Sequence, residues 1–325
     1  MSAANATRGN GGAVTIQSGP GDDLIDPSLA TLMGERRRLI DLAYRLLGSL
    51  SEAEDVVQET YVRWYGMSRQ RQEAVESVGG WLTTVATRLC LNVLGSARAR
   101  RERYVGHWIP EPLPERTERL DGASGAATDD PADRVTLDES VTMAFLVLLE
   151  SMTPAERVAF VLHDVFRYSF SEVAEMVGRS PAACRQLAAS ARRRVRHARP
   201  PSHPVPADRA AGIVRNFKRA WETKDVGALV GLLDPGATAV GDGGGRVTAL
   251  PHPIEGGERV AHFLVGLTTK ATGLVFTERT VNGRPGLVAR YAGATVAVYA
   301  FDIVGDRVKH IWGVLNPDKL RQWTA

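Results

Sequence analysis

The stretch from Ser169 to Arg199 constrains the fold most strongly, because it has the pattern of two helices joined by a tight turn. Ser169 and Glu172 have the spacing of a capping box, and Gly178 is placed to end the first helix. A Ser-Pro pair two residues later begins the second helix. A short helix, a short turn and a longer helix together predict a helix-turn-helix.

The second of these helices has one apolar face and one basic face. The residues spaced to pack inward are Cys184, Leu187, Ala188, Ala191 and Val195. Between Gly178 and Arg199 there are seven arginines and no acidic residue. Such a surface attracts a polyanion by releasing counterions and by hydrogen bonding to phosphates, which favours nucleic acid. The alternative is a solvated helix end, where cations are stabilised in any case.

Position along this helix separates two kinds of DNA contact. We expect Arg185 and Gln186, near its start, to reach base edges, where one good bidentate contact contributes about 1–3 kcal/mol of discrimination. The residues that we expect to hold phosphates are Arg192, Arg193 and Arg196.

The composition is that of an ordinary water-soluble protein. The chain has 325 residues, so two or three domains are expected. Its net charge is only +3 although its pI is about 9.0, so local arginine clusters are more informative about binding partners than the total charge. The apolar run 143–149 is too short to cross a bilayer, and residues 1–27 have the composition of a flexible tail without the apolar segment of a signal peptide. We therefore expect a cytoplasmic protein.

Metal and disulfide chemistry are not indicated. Cys90 and Cys184 occupy apolar positions of predicted helices, which predicts buried free thiols in a reducing compartment. His163, His197 and His310 have no metal-ligand spacing. We expect no structural metal and no cofactor.

Residues 28–65 predict two amphipathic helices with a break at Gly48–Leu50. Ser51 and Glu54 have capping-box spacing, so we expect the second helix to begin there. Its acidic and amide residues form a surface that is either an interface or simply charge that complements a helix N-terminus.

A further helix is predicted from Trp81, after Gly79 and Gly80, and its far end is basic. Aromatic residues beside arginines suit single-stranded nucleic acid, because bases stack on rings while phosphates follow the charge. The aromatic residues of this segment are Trp81, Tyr104 and Trp108, and its basic residues include Arg88, Arg98, Arg100 and Arg101. Trp81 is equally compatible with a core position.

Domain boundaries follow from composition. Residues 110–134 are rich in proline and acidic residues and predict an acidic flexible linker. Helices are expected over 135–200, with a capping box at Thr153 and Glu156, and prolines at 200–206 end this unit. The chain thus predicts a tail at 1–27, a helical module at 28–109, the linker, and the helix-turn-helix module.

Residues 205–325 predict an α+β domain in which a curved sheet wraps a helix and leaves a pocket. Strand patterns cover 274–281, 287–291, 295–304 and 308–315, after helical patterns at 208–224, 226–233 and 257–270. The titratable groups available to a pocket are Asp242, His252, Glu255, His262 and Asp302. They form no recognisable catalytic spacing, and the glycines after Asp242 favour a tight turn.

Two helical modules, the first basic and aromatic and the second a helix-turn-helix, resemble the extracytoplasmic-function sigma factors of bacterial RNA polymerase over residues 28–199. The segment 53–65, AEDVVQETYVRWY, resembles the helix that binds the polymerase clamp in that family. This resemblance implies a polymerase-binding surface made of Glu54, Asp55, Gln58, Glu59, Arg63 and Trp64. The segment 81–94, WLTTVATRLCLNVL, resembles the helix that reads and opens the melted promoter element.

Three further motifs narrow the resemblance to sigma-J-like factors with a SnoaL-like C-terminal domain. They are WIPEP (Trp108, Ile109, Pro110, Glu111, Pro112), DGGGR (beginning with Asp242, Gly243, Gly244) and NPDKL (Asn316, Pro317, Asp318, Lys319, Leu320). In this subgroup the extension takes over regulation by contacting the first module and the linker. We therefore expect the three motifs to pack near one another.

The chain departs from the family at Asn92, where an acid is usual, and at Val93 and Gly95, where basic residues are usual. Promoter specificity therefore does not transfer from relatives, although we keep Asn92 among the expected DNA contacts. The resemblance implies a non-enzymatic initiation factor, monomeric when free, that binds core RNA polymerase and both duplex and melted promoter DNA. The C-terminal pocket is a candidate site for a small-molecule ligand.

Two alternatives stay open at this point. One is a ligand-sensing helix-turn-helix regulator that does not dock on polymerase. The other is an enzyme that uses a SnoaL-like pocket, which would need an acid-base pair with shifted pKa values.

Overall fold

The computed structural model describes residues 27–101, 104, 106–114, 141–198 and 205–323, without the side chains of 27–33 and 97–101. The predicted tail, most of the predicted linker, and the side chains of Arg98, Arg100 and Arg101 lie outside the described residues.

The first module is built from helices α1 (Pro27–Leu47), α2 (Leu50–Tyr65), α3 (Arg69–Glu73) and α4 (Val78–Arg101). Two predicted starts are wrong. Helix α2 begins at Leu50 with Ser49 as N-cap, so the expected capping box at Ser51 and Glu54 is not formed. Helix α4 begins at Val78 instead of Trp81, because the Ser77 hydroxyl accepts a hydrogen bond from Gly80 N at 3.2 Å and both glycines are helical.

The second module contains α5 (Met143–Glu150), α6 (Pro154–Phe160), a π-helical turn (Val161–Val165), α7 (Phe170–Val177) and α8 (Pro181–Ala198). The capping boxes predicted at the starts of α6 and α7 are both present. Gly178 adopts the left-handed conformation, with φ 67° and ψ 40°, where glycine carries no Cβ penalty. The predicted helix-turn-helix is therefore confirmed.

The two helical modules share one hydrophobic core. Leucines of α1 and α4 lie in the same buried cluster as α6, α7 and α8. Cys90 of α4 and Cys184 of α8 are both fully buried free thiols, as predicted, and burial raises the pKa of each. Helices of two separate modules, α4 and α8, are thus packed against a common interior.

The C-terminal domain is α+β, as predicted. Its elements are α9 (Ala207–Glu222), α10 (Val226–Leu232), β1 (Leu233–Asp242), β2 (Ile254–Glu255), α11 (Gly257–Lys270), β3 (Leu274–Val281), β4 (Arg284–Tyr291), β5 (Ala294–Val304) and β6 (Arg307–Val314). The sheet order is β2-β1-β6-β5-β4-β3, and β1 pairs with β6 in parallel while the other neighbouring pairs are antiparallel.

The two faces of this sheet have different partners. One face packs on α9 and α11, and the centre of this core is a group of contacting aromatic rings: Phe217, Trp221, Phe276, Tyr299 and Phe301. On the other face Val288, Val298 and Trp312 pack against Ile109 and Met143. Helix α5 therefore lies between the C-terminal sheet and the core shared by the helical modules.

Candidate functional site

Residues 109–114, hereafter the strap, lie between the α1–α2 turn and the C-terminal domain. Residues 110–114 form the start of the predicted flexible linker, and for them that prediction is wrong, because all six residues of the strap are buried. Glu111 N donates to Gly48 O at 2.8 Å, and the Tyr44 hydroxyl donates to Glu111 O at 2.7 Å. Leu113 exchanges two hydrogen bonds with Asn282, at 2.9 and 3.1 Å. The strap is therefore fixed to both neighbours.

Asp242 is the centre of the contact between the strap and the C-terminal domain. Its carboxylate is fully buried and accepts hydrogen bonds from the Tyr104 hydroxyl at 2.7 Å, Ile109 N at 3.0 Å and Gly244 N at 3.0 Å. The ammonium of Lys319 lies 2.7 Å from the same carboxylate. The negative charge is thus compensated by four donors.

Lys319 connects the Asp242 carboxylate to Trp108 and to Ile109 of the strap. Its Nζ also donates to Ile109 O and lies 4.2 Å from the centre of the Trp108 ring, a cation–π distance. Only 10% of its side chain is exposed, so the charge depends on these partners. Trp323, beyond the last predicted motif, adds a hydrogen bond from Nε1 to Pro112 O at 2.9 Å.

The glycines after Asp242 are required by close approach. A Cβ added to Gly243 would overlap the Val247 carbonyl, and one added to Gly244 would overlap the Asn316 side chain. Asn316 in turn donates to the Tyr104 hydroxyl at 2.9 Å. The structure therefore brings the three motifs together, with Leu320 buried behind them and Pro317 and Asp318 exposed at the rim.

Tyr104 is a member of this cluster that the sequence did not assign to it. Burial and the neighbouring Asp242 carboxylate raise its pKa, so the phenol keeps its proton and remains a hydrogen-bond donor. No local signal distinguishes it from a residue that stacks on bases, because its partners lie more than a hundred positions away in the chain.

The predicted polymerase surface lies on α2. Glu54, Asp55, Gln58, Glu59 and Arg63 are exposed, and Arg63 pairs with Glu59 at 2.8 Å. Trp64 differs, since it is only 6% exposed and its ring lies 5.3 Å from that of Trp81.

An open groove of about 840 Å³ runs beside this surface. It is lined by Arg36, Glu54, Val57, Gln58, Tyr61, Val62, Tyr65 and Gly66. Burial is the main reason that the pKa of Tyr61 is raised to about 12. Val62 and Tyr65 are 58% and 61% exposed, so the groove combines apolar and acidic groups that are open to a protein partner.

Part of helix α4 contacts the second module. Arg88 donates from Nε to Met176 O at 3.0 Å and from Nη2 to Glu175 O at 3.1 Å, at the C-terminal end of α7. Trp81 is partly buried and packs on the shared core, whereas Asn92 is exposed. The positive charge of Arg88 therefore lies at the C-terminal end of α7, where the negative end of the helix dipole stabilises it.

Helix α8 keeps most of its basic face exposed to solvent. Arg185, Gln186, Arg193 and Arg196 are exposed, and Arg192 is held by Asp164 at 2.7 Å with 39% of its side chain exposed. The predicted division into a packed face and a basic face is confirmed.

A second arginine, this one in the second module, donates a hydrogen bond to the first module. Arg157 of α6 donates to Leu46 O at 2.8 Å, at the C-terminal end of α1, and to Glu150 at 2.7 Å. Its guanidinium is buried, and desolvation lowers its pKa to about 10, which leaves it charged at neutral pH. Arg38 adds a hydrogen bond to the Tyr168 hydroxyl at 2.7 Å.

The candidate acids and bases of the C-terminal domain differ in placement, and Asp302 is half-buried opposite His310 in the β5–β6 pair. His252, Glu255 and His262 are exposed, and Asp242 is engaged as described. Among the described residues no group of three or more His, Cys, Asp or Glu side chains is arranged to hold a metal ion. Within the same part of the chain, no helix is both long enough and apolar enough to span a membrane.

The helical modules match two family models, Sigma-70 region 2 over residues 32–101 and Sigma-70 region 4 over residues 142–195. These matches define a promoter-recognition factor of bacterial RNA polymerase. The chain belongs to the family of extracytoplasmic-function (ECF) RNA polymerase sigma factors, which bind core RNA polymerase and promoter DNA.

Full-length relatives extend the match to the C-terminal domain. The chain is 36% identical to the ECF sigma factor SigJ of Mycobacterium tuberculosis H37Rv over 297 residues, which cover 87% of this chain and 90% of SigJ. It is 34% identical to the probable ECF sigma factor SigI of the same species over 297 residues, covering 91% and 95% of the two chains. The crystal structure of M. tuberculosis SigJ matches with a TM-score of 0.69 and 31% identity, covering 90% of this chain and 98% of that one.

Proposed function

We propose that the C-terminal domain of this sigma factor holds the two promoter-reading modules in a closed arrangement that must open on core RNA polymerase. The observation that carries the proposal is the position of Arg88, a predicted DNA contact that donates instead to the end of α7. These bonds engage two of the five N–H donors of the guanidinium. A phosphate of melted promoter DNA that binds Arg88 through those donors would compete with the contact between the modules.

The closed arrangement is supported by a reciprocal pair of contacts. Arg88 of the first module lies at the end of α7, and Arg157 of the second module lies at the end of α1. Both place a cation on helix carbonyls that have no partner within their own helix, which stabilises each helix end. Separation of the modules would break both contacts and expose the shared core.

The C-terminal domain acts on this arrangement through two connections. The strap joins Asp242 and Lys319 to the α1–α2 turn of the first module. Helix α5 joins the sheet to the second module. Because one domain holds both modules, a change in its contacts alters the distance between them. That distance has to match the spacing between the two elements of a two-part promoter.

We assign docking on polymerase to the exposed residues of α2, and promoter reading to α4 and α8. Cytoplasmic action follows from these partners. The similarity to sigma factors along most of the chain favours a regulatory role for the C-terminal domain over catalysis.

Transcription by core polymerase tests the proposal directly. A promoter is selected from a random-sequence library with the assembled holoenzyme, and runoff transcription is compared for the wild type and for Lys319→Met, with Arg246→Met as the control in the same cluster. We expect a changed initiation rate for Lys319→Met at equal folded fraction. An unchanged rate would refute regulation through this contact, and no transcription by the wild type would refute the assignment to initiation.

The DNA contacts of α8 have a separate test. Arg185→Ala should reduce discrimination between promoter sequences, because it removes a contact to base edges. Arg193→Ala should lower all affinities about equally, because it removes a phosphate contact. Binding of the full chain to matched and mismatched duplexes measures both. Retained discrimination in Arg185→Ala would contradict the assignment.

A further inference from the structure

We propose that Glu111 of the strap is a positioning residue for polymerase binding, because its carboxylate caps the N-terminus of α2, the helix to which we assign docking. The proposal rests on that assignment. It gives the strap a part in forming the polymerase surface, in addition to its contact with the C-terminal domain.

The geometry at the start of α2 carries the proposal. The Oε2 atom of Glu111 accepts a hydrogen bond from Leu50 N at 2.8 Å and one from the Ser49 hydroxyl at 3.4 Å. The local cap is weaker, since the Ser49 hydroxyl accepts from Glu52 N at 3.4 Å. The first free N–H groups of a helix need an acceptor, and here the shorter bond comes from a residue 61 positions away.

The carboxylate is held as a built-in part of the helix end. Glu111 is only 5% exposed, and its own backbone is fixed on both sides, by Gly48 O and by the Tyr44 hydroxyl. Burial raises the pKa of its carboxyl, while the N–H groups of Leu50 and Ser51 act against that rise by favouring the charged form. A buried carboxylate at a helix N-terminus is stabilised by those donors and by the helix dipole.

The placement of α2 follows from this cap. The exposed Glu54 and Asp55 lie in the turn after the capped residues, and Gln58 lies one turn further. The opposite side of the helix is anchored by Ala53 and Val57, which are buried in the shared core. The core fixes the middle of α2, and Glu111 fixes its first turn, so the acidic surface is complete only when the strap is seated.

The adjoining turn is shaped for the strap as well. Gly48 has φ +69°, and a Cβ at this position would lie 2.7 Å from the Trp108 ring. The α1–α2 turn therefore accommodates a ring and a carboxylate from the same distant segment. If the strap served only to hold the modules together, it would not require a charged group directed at the free N–H groups of α2.

The test compares polymerase affinity with duplex DNA affinity in the full chain. The variants are Glu111→Ala, which removes the acceptor, and Glu111→Gln, which keeps an acceptor oxygen but removes the charge. Glu73→Gln is the matched control, since Glu73 is an exposed acid of the same module that pairs with Arg69 and lies outside α2. Titration of labelled protein with core RNA polymerase gives one dissociation constant, and titration with a promoter-sequence duplex gives the other.

We expect Glu111→Ala to weaken polymerase binding by about fivefold, and by at most about 30-fold, which correspond to the typical and the largest loss of a helix cap. Glu111→Gln should fall between Glu111→Ala and the wild type. Duplex binding through α8 and the Glu73→Gln control should stay within about twofold of the wild type.

The outcomes separate this inference from the docking assignment. Gln58→Ala, an exposed surface variant, tests docking on α2 itself. If Gln58→Ala weakens polymerase binding and neither Glu111 variant does, the positioning role is overturned and the docking surface stands. Equal losses in polymerase and duplex binding would also overturn it, because they indicate general destabilisation. If Gln58→Ala has no effect, the docking assignment fails. Should Glu111→Ala not fold, Glu111→Gln decides the comparison.

Discussion

Replacing Lys319 with methionine should release the strap from the C-terminal domain. The substitution keeps the apolar stem but removes the cation 2.7 Å from Asp242, whose carboxylate is fully buried. Removing one partner of a buried ion pair costs about 3–5 kcal/mol, because the remaining charge is left in a poorly solvated place. Three donors stay with Asp242, namely Tyr104, Ile109 N and Gly244 N, which places the expected cost near 3 kcal/mol, the lower end of that range.

Amide hydrogen exchange of the strap measures this cost. Ile109 N donates to Asp242, and Glu111 N donates to Gly48 O, so both amides exchange when the strap opens. A loss of about 3 kcal/mol corresponds to roughly 100-fold faster exchange. Arg246→Met is the matched control, since Arg246 pairs with Asp318 at 2.9 Å but the two side chains are 65% and 46% exposed. Such a pair contributes about 0–1 kcal/mol.

The reasoning is refuted if Lys319→Met accelerates exchange no more than Arg246→Met does. The double variant Asp242→Asn, Lys319→Met should recover part of the loss, because it leaves no uncompensated buried charge. A double variant that is less stable than the sum of the single changes would show that the charge pair is not the dominant interaction.

Three further predictions concern other parts of the closed arrangement. Gly48→Ala should destabilise the strap by about 1–2 kcal/mol, because it places a Cβ in the left-handed region and 2.7 Å from the Trp108 ring; denaturant unfolding with tryptophan fluorescence measures this, and an unchanged midpoint contradicts it. Arg88→Ala should speed amide exchange at the end of α7 while weakening binding to melted promoter DNA, and loss of only one of the two would show that the residue does not serve both states. Burial lowers the pKa of His310 below its usual value near 6.5. The folded state should therefore have its full stability above pH 6.5 and should lose stability as the pH falls below that value and the imidazole of His310 takes up a proton. His310→Gln should flatten this pH dependence, and an equally steep profile in the variant would contradict the prediction.

The helix-turn-helix and the C-terminal elements could be predicted from sequence because their signals are local. The capping boxes of α6 and α7 and the turn at Gly178 form as the spacing indicated. The bounds of α11 and β3 agree with the predicted patterns, since each has a periodic apolar face.

The start of α2 is ambiguous in the local sequence, because Ser49 with Glu52 and Ser51 with Glu54 both have capping-box spacing, and the shorter bond at this helix end comes from a distant segment. The pattern at Ser51 and Glu54 satisfies the capping-box rule, yet Glu111 and Ser49 fix the helix one residue before Ser51. The burial of the strap has a related cause. Its prolines and acids indicate an exposed linker, but tertiary contacts with Gly48, Tyr44 and the C-terminal domain bury it.

The contact between the two helical modules was also beyond sequence reasoning. Arg88 has the same composition signal as any basic residue of a nucleic-acid-binding helix, and only the fold places it on carbonyls of α7. The aromatic interior of the C-terminal domain likewise follows from how Trp221, Phe276 and Tyr299 converge across the sheet. Long-range convergence of side chains is the part of the site that periodicity does not encode.

The distance between the two helical modules, with and without core RNA polymerase and promoter DNA, tests the central claim most directly. Exposed Ala74 and Ala198 can be changed to cysteine for spin labels, because the native thiols of Cys90 and Cys184 are buried. The closed arrangement predicts one short distance in the free chain and a longer one in the holoenzyme on a promoter. An identical distance distribution in both samples would contradict the claim that the modules are held together until polymerase separates them.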